Sequence, residues 1–447
     1  MTNTKRIFCL ILAVCTEFSL VACAGGNQQP AMEATEATPS PYAGVVADPK
    51  TWYEEFTSIP VANSSMTTDE LRDICVRQFK ANLGFAWTPS KPLSYTYTLL
   101  DKVKSINLPV GNAYSGLIYS TGVEGMEATN GNVFKVLSFY DKETGVVDVE
   151  AMGDKWLAIL SSACSYGAMN AWNRVSNSHN LGNMGSYTIF DSNIVLVGPY
   201  TYEPYVYNYE FSSKNMNATT QIIRHNGLEV MFESYAQMLP ADGLYSMPSY
   251  HVIMCSSVPV VVRDGEGMIN PNESYVLICE QASGGTQSDK DNYQQLNGIA
   301  MRPLGTIDKK YTFMELVDKG YIPFTLKEFI GEDPVEAGEA WVGDKASGME
   351  NGSDVTASQI FQKQAVGNYN ITNIIVKVKD PSGNELVSYD PAISTSPRTG
   401  SYALSLTEAY DEAKLSPHAN GKNTIHICVQ LANGELIDAF NTVLKMD

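Results

Sequence analysis

The chain has 447 residues, with 49 acidic against 30 basic side chains and a formal net charge of −19 at pH 7. This acidity, without any run of Lys and Arg, disfavours nucleic acid as a partner, because phosphate backbones are bound by clustered basic side chains. The length exceeds what one ordinary hydrophobic core contains, so we expect two or three domains.

The first residues have the layout of an export signal. A basic start, a short apolar run over 7–14 and small residues lead up to Cys23. The apolar run is too short to cross a bilayer as a helix. The sequence LVAC, which ends at Cys23, resembles the lipobox of bacterial lipoproteins. We therefore expect residues 1–22 to be a signal peptide, and Cys23 to carry a lipid that anchors the exported chain at the outer face of the cell membrane. A plain secreted protein is the alternative.

The eight cysteines do not predict a disulfide framework. Two would leave with the signal peptide and Cys23 would take lipid, so an odd number remains, with wide and irregular spacing. No CxxC pair is present, which also disfavours a structural zinc site. At least one thiol must therefore stay unpaired within the chain. The remaining cysteines are Cys75, Cys164, Cys255, Cys279 and Cys428.

The start of the mature chain predicts a tether followed by a helix. Residues 23–50 are rich in Pro, Ala, Thr and Glu, which is typical of a disordered linker. Thr67 and Glu70 have the spacing of a capping box, and apolar residues behind them recur at helical spacing. Cys75 falls in that apolar stripe, so we expect it to be a core residue.

The middle of the chain alternates between helical and extended patterns. Small residues predict a turn that opens a helix from Cys164 to about Val175. A tyrosine-rich segment over 187–211 predicts antiparallel strands. Further strands are predicted over 250–255, 258–262 and 275–280, with a turn at 264–267.

A polar, Gly-rich stretch over 343–356 predicts a domain boundary. After it, short strands separated by turns follow at regular spacing, which is typical of a small β-sandwich. The expected organisation is a main domain over residues 51–350 and a β-sandwich domain over residues 360–447. The predicted strands are 371–378, 385–388, 402–406, 424–430 and 436–444.

Cys164 has the sequence setting of a nucleophile. It stands where a loop of small residues becomes a helix. The positive end of a helix favours thiolate over thiol, and the free backbone N–H groups there can hold an oxyanion. The alternative is a cysteine packed in the helix core, which is common for unpaired thiols.

A thiol nucleophile also needs a base, and the chain has five histidines. His251 begins a predicted strand, from which its imidazole can point at the N-terminus of a helix packed across the sheet. The alternative is a hydrogen-bonded structural histidine.

His426 and Cys428 are a second histidine–thiol pair, two residues apart on a predicted strand. Both would point to one face of that strand. We expect packing there rather than chemistry, because neighbours along one strand rarely come within hydrogen-bonding distance. Two ligands alone do not make a metal site, so no metal site is predicted.

The order of these features resembles the NlpC-type cell-wall peptidases, which are papain-like cysteine peptidases that cut peptidoglycan stem peptides. The segment Cys164–Gly167 is similar to the family's cysteine motif, although the family usually places aspartate before the cysteine. Tyr114–Ser120 resembles its upstream Gly-x-Pro-Tyr segment. Leu239–Asp242 and Tyr250–Met254 resemble the Pro-Gly-Asp and Ser-His-Val-Gly-Ile segments that surround its histidine. The resemblance covers roughly residues 100–290.

The resemblance implies an α+β chain, with a papain-like catalytic domain followed by an all-β immunoglobulin-like sandwich. It implies that Cys164 attacks the scissile amide while His251 holds the thiolate and then protonates the leaving amine. Gln281 would orient the far imidazole nitrogen, with Glu280 as the other candidate, because only one of two successive strand residues can face the site. No cofactor is implied. The candidate substrate-binding residues are Tyr114, Tyr119, Ser165 and Tyr166.

Three functions are compatible with these residues. The first is a membrane-anchored endopeptidase that hydrolyses amide bonds of peptidoglycan stem peptides. The second is a non-catalytic surface or cell-wall binding lipoprotein with a papain-like fold. The third is a cysteine amidase or acyltransferase that acts on another substrate. The reactivity of Cys164 separates the second from the others, and the reaction products separate the first from the third.

Overall fold

The computed structural model describes residues 48–99, 102–120, 132–177, 193–202, 217–282, 293–296, 298–343, 354–389 and 402–446. The predicted signal peptide, Cys23 and nearly all of the predicted tether lie outside the described residues. Within them, no helix is long and apolar enough to cross a membrane. Helices and several β-sheets are mixed along the chain, so the general prediction of an α+β chain is confirmed.

The described chain begins with two helices. Helix α1 (Pro49–Thr57) starts inside the segment that the sequence assigns to the tether. Helix α2 (Thr68–Gly84) starts at the predicted capping box, in which the Thr67 hydroxyl accepts from the backbone N–H of Glu70 and the Glu70 carboxylate accepts from that of Thr67. Cys75 is fully buried on α2, as predicted.

Short elements lead from α2 to the helix that carries Cys164. Strands β2 (Leu93–Leu99) and β3 (Lys102–Leu108) pair antiparallel, and β5 (Ile118–Tyr119) pairs in parallel with β7 (Ser161–Ser162), so that Tyr119 lies opposite Ser162 just before Cys164. The elements in chain order are β1 (Ala86–Pro89), β2 (Leu93–Leu99), β3 (Lys102–Leu108), β4 (Ala113–Ser115), β5 (Ile118–Tyr119), α3 (Val133–Val136), β6 (Val146–Val147), α4 (Val149–Met152), α5 (Trp156–Leu160), β7 (Ser161–Ser162) and α6 (Cys164–Trp172).

The next elements in chain order are β8 (Ile194–Leu196), α7 (Ala218–Asn226), α8 (Leu228–Ala236), β9 (Gly243–Ser246), β10 (His251–Cys255), β11 (Tyr275–Glu280), β12 (Gln294–Leu296), β13 (Ile299–Pro303), β14 (Thr306–Thr312), α9 (Phe313–Asp318) and β15 (Tyr321–Leu326). Six of them build an antiparallel sheet in the order β14-β11-β10-β9-β15-β8, which we call the main sheet. A second sheet has the order β12-β13-β4-β1-β6. Helix α6 packs on β10 of the main sheet.

Most strand predictions in this part are confirmed, and one is wrong. Strands β10 and β11 and the turn at 264–267 occur as predicted. The segment 258–262 makes only an isolated bridge between Val260 and Tyr275, because the next N–H that faces β11, that of Val262, donates to the Ser274 hydroxyl instead of to a strand carbonyl. Of the tyrosine-rich segment 187–211, the described part contains β8, which pairs antiparallel with β15, and the remainder lies outside the described residues.

The C-terminal part contains two further sheets, with the orders β16-β18-β21 and β17-β23-β22-β19-β20. All five predicted strands of this part are present. Two short helices accompany them, so the part is not all-β as expected. Its elements are β16 (Ala340–Val342), β17 (Val355–Thr356), α10 (Ala357–Phe361), β18 (Gln364–Gly367), β19 (Ile371–Lys379), β20 (Glu385–Tyr389), β21 (Ala403–Ser405), α11 (Glu412–Leu415), β22 (Asn423–Leu431) and β23 (Leu436–Lys445).

The buried apolar side chains form two separate cores. The first extends from Trp52 to Val335 and the second from Val342 to Leu444. Because β16 pairs with β18, the C-terminal core begins before the Gly-rich stretch over 343–356 rather than after it.

Candidate active site

Cys164 is the first residue of α6 and faces the start of β10. The preceding residue, Ala163, has an extended backbone with φ −90° and ψ 174°. The Cys164 sulfur lies 3.9 Å from the carbonyl oxygen of Tyr250, the residue before β10. The helix N-terminus and the beginning of the strand therefore meet at the thiol.

His251 is the first residue of β10 and lies between Cys164 and a carboxylate. Its Nε2 is 3.1 Å from Oε2 of Glu280, the last residue of the neighbouring strand β11. Cys164 is its second partner, since the interaction with that thiol is one of the causes that raise the pKa of His251. Because Nε2 is engaged by Glu280, Nδ1 is the ring nitrogen left to interact with the thiol. The imidazole thus uses its two nitrogens for two different partners, as a general base held in place requires.

The preference for Gln281 as the residue that orients His251 is wrong. Gln281 is buried and donates from Nε2 to the carbonyl oxygen of Leu117 at 2.7 Å. The strand register explains the difference. Met254 lies opposite Cys279, which places Glu280 on the same face as His251 and turns the next residue to the other face.

Lys309 is a site residue that the sequence did not indicate. Its Nζ lies 2.6 Å from Oε1 of Glu280 and 3.1 Å from the hydroxyl of Tyr311. It is carried by β14, which pairs with β11. A carboxylate as deeply buried as that of Glu280 needs more than one partner, but this burial is set by the fold and is not visible in the sequence. Nothing local in β14 identifies the partner.

The electrostatics of the site favour an ionised thiol. Burial raises the pKa of Cys164, but the charge and hydrogen bond of His251, with the backbone N–H groups of Val252 and Ser165, bring that pKa below its ordinary value. Burial lowers the pKa of His251, yet Cys164 and Glu280 together raise it to about 9. Because the pKa of Cys164 is lowered and that of His251 is raised, the site favours thiolate and imidazolium as the resting pair.

The charges beyond His251 alternate in sign. Burial raises the pKa of Glu280, but His251 and Lys309 reduce it to about 2. The four groups are then a thiolate, an imidazolium, a carboxylate and an ammonium, with no net charge. An unpaired buried charge would be costly, and this arrangement leaves none.

The other described cysteines contrast with Cys164. Burial raises the pKa of Cys279 to about 12, and it raises the pKa values of Cys75 and Cys255 further. Burial also raises the pKa of Cys428. Among the cysteines within the described residues, Cys164 is thus the one whose pKa is lowered.

Two of the aromatic candidates for substrate contact are core residues instead. Tyr114 is fully buried, its ring centroid 5.3 Å from that of Trp87. Tyr119 is buried in the same core. Both predictions are wrong, because neither ring has surface to offer a ligand. Ser165 and Tyr166, the second and third residues of α6, are half-buried beside Cys164.

Tyr250 is a surface residue at the site that the sequence did not single out. The residue is 43 % exposed. Its φ of 46° lies in the left-handed region, which is rare for a bulky residue and occurs at functional sites where surrounding structure enforces it. This backbone conformation sets the direction of the carbonyl that faces Cys164.

A buried ion pair holds the turn before the histidine strand. Asp242, from the segment that resembles Pro-Gly-Asp, lies 2.6 Å from Nη1 of Arg72 on α2. Its other oxygen accepts from the backbone N–H of Leu239 at 2.7 Å. Arg72 also donates to the carbonyl oxygen of Pro240 at 2.7 Å. The pair ties the turn that leads into β9 to the N-terminal helix, and thereby supports the neighbouring β10.

The expectation that His426 and Cys428 do not meet is wrong. The Cys428 sulfur lies 3.3 Å from Nε2 of His426, and Oδ1 of Asp438 on β23 lies 3.0 Å from the same nitrogen. A third polar group therefore joins the pair from a strand that the sequence did not connect with it. His179, another of the five histidines, lies outside the described residues.

A scan against models of protein families and a search of curated proteins each found no match to the chain. The function is therefore inferred from the geometry of Cys164, His251 and Glu280.

Proposed function

We propose that the chain is a papain-like cysteine endopeptidase of the NlpC type, which hydrolyses amide bonds in peptidoglycan stem peptides. The observation that carries the proposal is the pairing of Cys164, at the start of a helix, with His251, whose far nitrogen is held by Glu280. Ionised thiol, proton donor and positioning carboxylate are the parts that cysteine-dependent amide hydrolysis requires.

The surrounding fold is compatible with this family. A helix that begins with the nucleophile lies against an antiparallel sheet, and the histidine and its partner come from adjacent strands of that sheet. The two C-terminal sheets are compatible with an immunoglobulin-like sandwich. We propose that this part binds or positions the cell wall.

The proposed reaction has two stages. The Cys164 thiolate attacks the scissile carbonyl carbon, and the backbone N–H of Cys164 at the helix N-terminus stabilises the oxyanion. As the intermediate collapses, His251 donates its Nδ1 proton to the leaving amine, and a thioester remains. His251 then removes a proton from water, which attacks the thioester. The acid product leaves, and the thiolate–imidazolium pair is restored.

Glu280 acts through His251 and is a positioning residue. Its hydrogen bond to Nε2 orients the ring so that Nδ1 faces the thiol, and its charge stabilises the imidazolium. Lys309 neutralises the carboxylate on its other side. Without that partner the buried carboxylate would hold the proton of His251 more tightly and make it a weaker acid for the leaving amine.

The proposed location follows from the N-terminal segment. An export signal and a lipid on Cys23 would place the folded body at the outer face of the membrane. A tether of some 25 residues spans roughly 25–30 Å as a flexible coil. That distance reaches the wall next to the membrane, where stem peptides are the abundant amide substrate.

The test is digestion of purified peptidoglycan, with products separated and identified by mass spectrometry. Wild type should release fragments with amide bonds cut, whereas Cys164→Ala and His251→Gln should release none. His418→Gln is the matched control for a histidine outside the site and should digest like wild type. Identical products from wild type and Cys164→Ala would eliminate the peptidase in favour of a binding protein. Products with a transferred acyl group would indicate an acyltransferase.

A further inference from the structure

Three side chains with metal-ligand chemistry converge on the C-terminal sheet, far along the chain from the catalytic residues. Nε2 of His426 lies 3.3 Å from the sulfur of Cys428 and 3.0 Å from Oδ1 of Asp438. All three ligand atoms lie within 4.8 Å of one another. We call this group the His–Cys–Asp cluster.

A β-bulge builds the cluster. In the pairing of β22 with β23, Ile427 lies opposite Phe440 whereas Cys428 lies opposite Asp438, so Ala439 is the extra residue. Without the bulge, Ala439 would lie opposite Cys428 and Asp438 would face the other side of the sheet. Bulges re-aim side chains in this way, and they are frequent at functional sites. The third ligand is therefore delivered by a specific irregularity of the backbone.

The cluster faces away from the C-terminal core. Along β22, the residues on either side of His426 and Cys428 are buried, whereas these two are half-buried and Asp438 is exposed. An ion from solvent can therefore reach all three ligand atoms without movement of the backbone.

The geometry does not suit a second catalytic triad. A catalytic imidazole uses one nitrogen for the thiol and the other for the carboxylate, as His251 does. In the cluster a single nitrogen, Nε2 of His426, lies nearest to both Cys428 and Asp438. Burial and the charge of Asp438 raise the pKa of Cys428, which is the opposite of thiol activation.

We propose that His426, Cys428 and Asp438 bind a Zn²⁺ ion, or a closely related divalent transition-metal ion, on the outer face of the C-terminal sheet. Imidazole and thiolate ligands select zinc-like ions over Mg²⁺ and Ca²⁺. With bonds of about 2.0–2.2 Å to nitrogen and oxygen and about 2.3 Å to sulfur, neighbouring ligands of tetrahedral zinc lie roughly 3.3–3.6 Å apart. The distances of 3.3 Å and 3.0 Å from His426 Nε2 to the other two ligand atoms are close to that range, and the Cys428 sulfur and the Asp438 oxygen lie within 4.8 Å of each other. Three protein ligands leave the fourth position for water or an external group.

Lys377, which lies opposite His426 on β19, modifies the site. Its charge favours the Cys428 thiolate, yet it repels a bound cation. We therefore expect an affinity below that of sites with more thiolate ligands. Binding also displaces the thiol proton, so the affinity rises with pH.

The test is titration of the full chain with Co²⁺, which replaces Zn²⁺ and reports a thiolate ligand by charge-transfer absorption. All samples carry Cys164→Ala, so that the catalytic thiol does not contribute. The parent should bind one ion with thiolate absorption, and Zn²⁺ but not Mg²⁺ should displace it. Cys428→Ala should abolish the absorption. Asp438→Asn should weaken binding by at least about tenfold, since even outer-shell partners of a metal change affinity by 10–100-fold.

His418→Gln is the matched control and should bind Co²⁺ like the parent. Asp438→Asn keeps the size of the side chain, so it remains decisive if Cys428→Ala fails to fold. Absorption of equal strength in the parent and Cys428→Ala would overturn the proposal. So would a parent chain that shows no thiolate absorption, or an Asp438→Asn variant with unchanged affinity.

Discussion

Replacing Glu280 by Gln tests how the active site is charged. The Glu280 carboxylate accepts from His251 Nε2 at 3.1 Å and pairs with Lys309 at 2.6 Å. Gln keeps the size and one acceptor oxygen but removes the charge. A hydrogen bond to a charged group is worth about 1.5–3 kcal/mol. At about 1.4 kcal/mol per pKa unit, its loss should lower the pKa of His251 from about 9 by roughly one to two units.

The assay is the rate at which iodoacetamide alkylates Cys164, measured against pH and mapped by mass spectrometry. Because the thiolate is the reactive form, the rate follows its population. Without the carboxylate the imidazolium is no longer held against the thiol and stabilises the thiolate less, so the midpoint in Glu280→Gln should move to higher pH. Glu273→Gln, the same change at an exposed position, should leave the midpoint in place. An unchanged midpoint in Glu280→Gln, or an equal shift in both variants, would refute the electrostatic reasoning.

Three further outcomes are expected. Peptidase activity should fall as pH rises through about 9, because deprotonation of His251 removes the proton donor for the leaving amine; activity that keeps rising there would contradict this role. In Cys164→Ala, the pKa of His251 followed by NMR should fall, since the charge of the thiolate is gone while burial remains; a value still near 9 would mean that Cys164 does not interact with it. Asp242→Asn should reduce the free energy of unfolding by about 3–5 kcal/mol in urea, because it leaves Arg72 as a buried charge without its partner. Its control is Glu233→Gln, which breaks a solvent-exposed ion pair with Arg263 and should change the free energy of unfolding little. Equal losses of stability in the two variants would show that burial of the ion pair does not determine its contribution to stability.

Features with a local cause could be read from the sequence. The capping box of Thr67 and Glu70 involves residues three apart, and the turn at 264–267 is closed by its own residues. The strands of the C-terminal part alternate between buried and exposed residues. Cys164 and His251 could be identified as candidate catalytic residues for the same reason. Each is the first residue of a helix or strand that the adjacent sequence predicts.

Features that depend on register or on distant strands could not be read in this way. Whether Glu280 or Gln281 faces His251 is decided by the pairing of β10 with β11, which no local pattern encodes. Lys309 reaches Glu280 only because β14 adds to the far side of β11. Asp438 reaches Cys428 through a bulge in β23. In each case one residue of shift would turn the side chain to the other face.

The buried tyrosines show a second reason why the role of a side chain could not be predicted from the sequence. Tyr114 and Tyr119 occur in a segment that resembles part of a peptidase groove, and a tyrosine serves equally well in a core or on a binding surface. Only the packing around them separates the two roles, and here Trp87 covers Tyr114. Tyr250 shows the converse, because a left-handed backbone at a bulky residue leaves no mark in the sequence.

The proposed function requires Cys164 to hydrolyse amide bonds of peptidoglycan as an ionised nucleophile. The most direct measurement is the number of new amino groups released from purified peptidoglycan at pH 7 by wild type and by Cys164→Ala. Each amide bond that is hydrolysed yields one amino group. Wild type should release amino groups steadily, and the variant should release none. Equal release by the two proteins, or none by either, would contradict it.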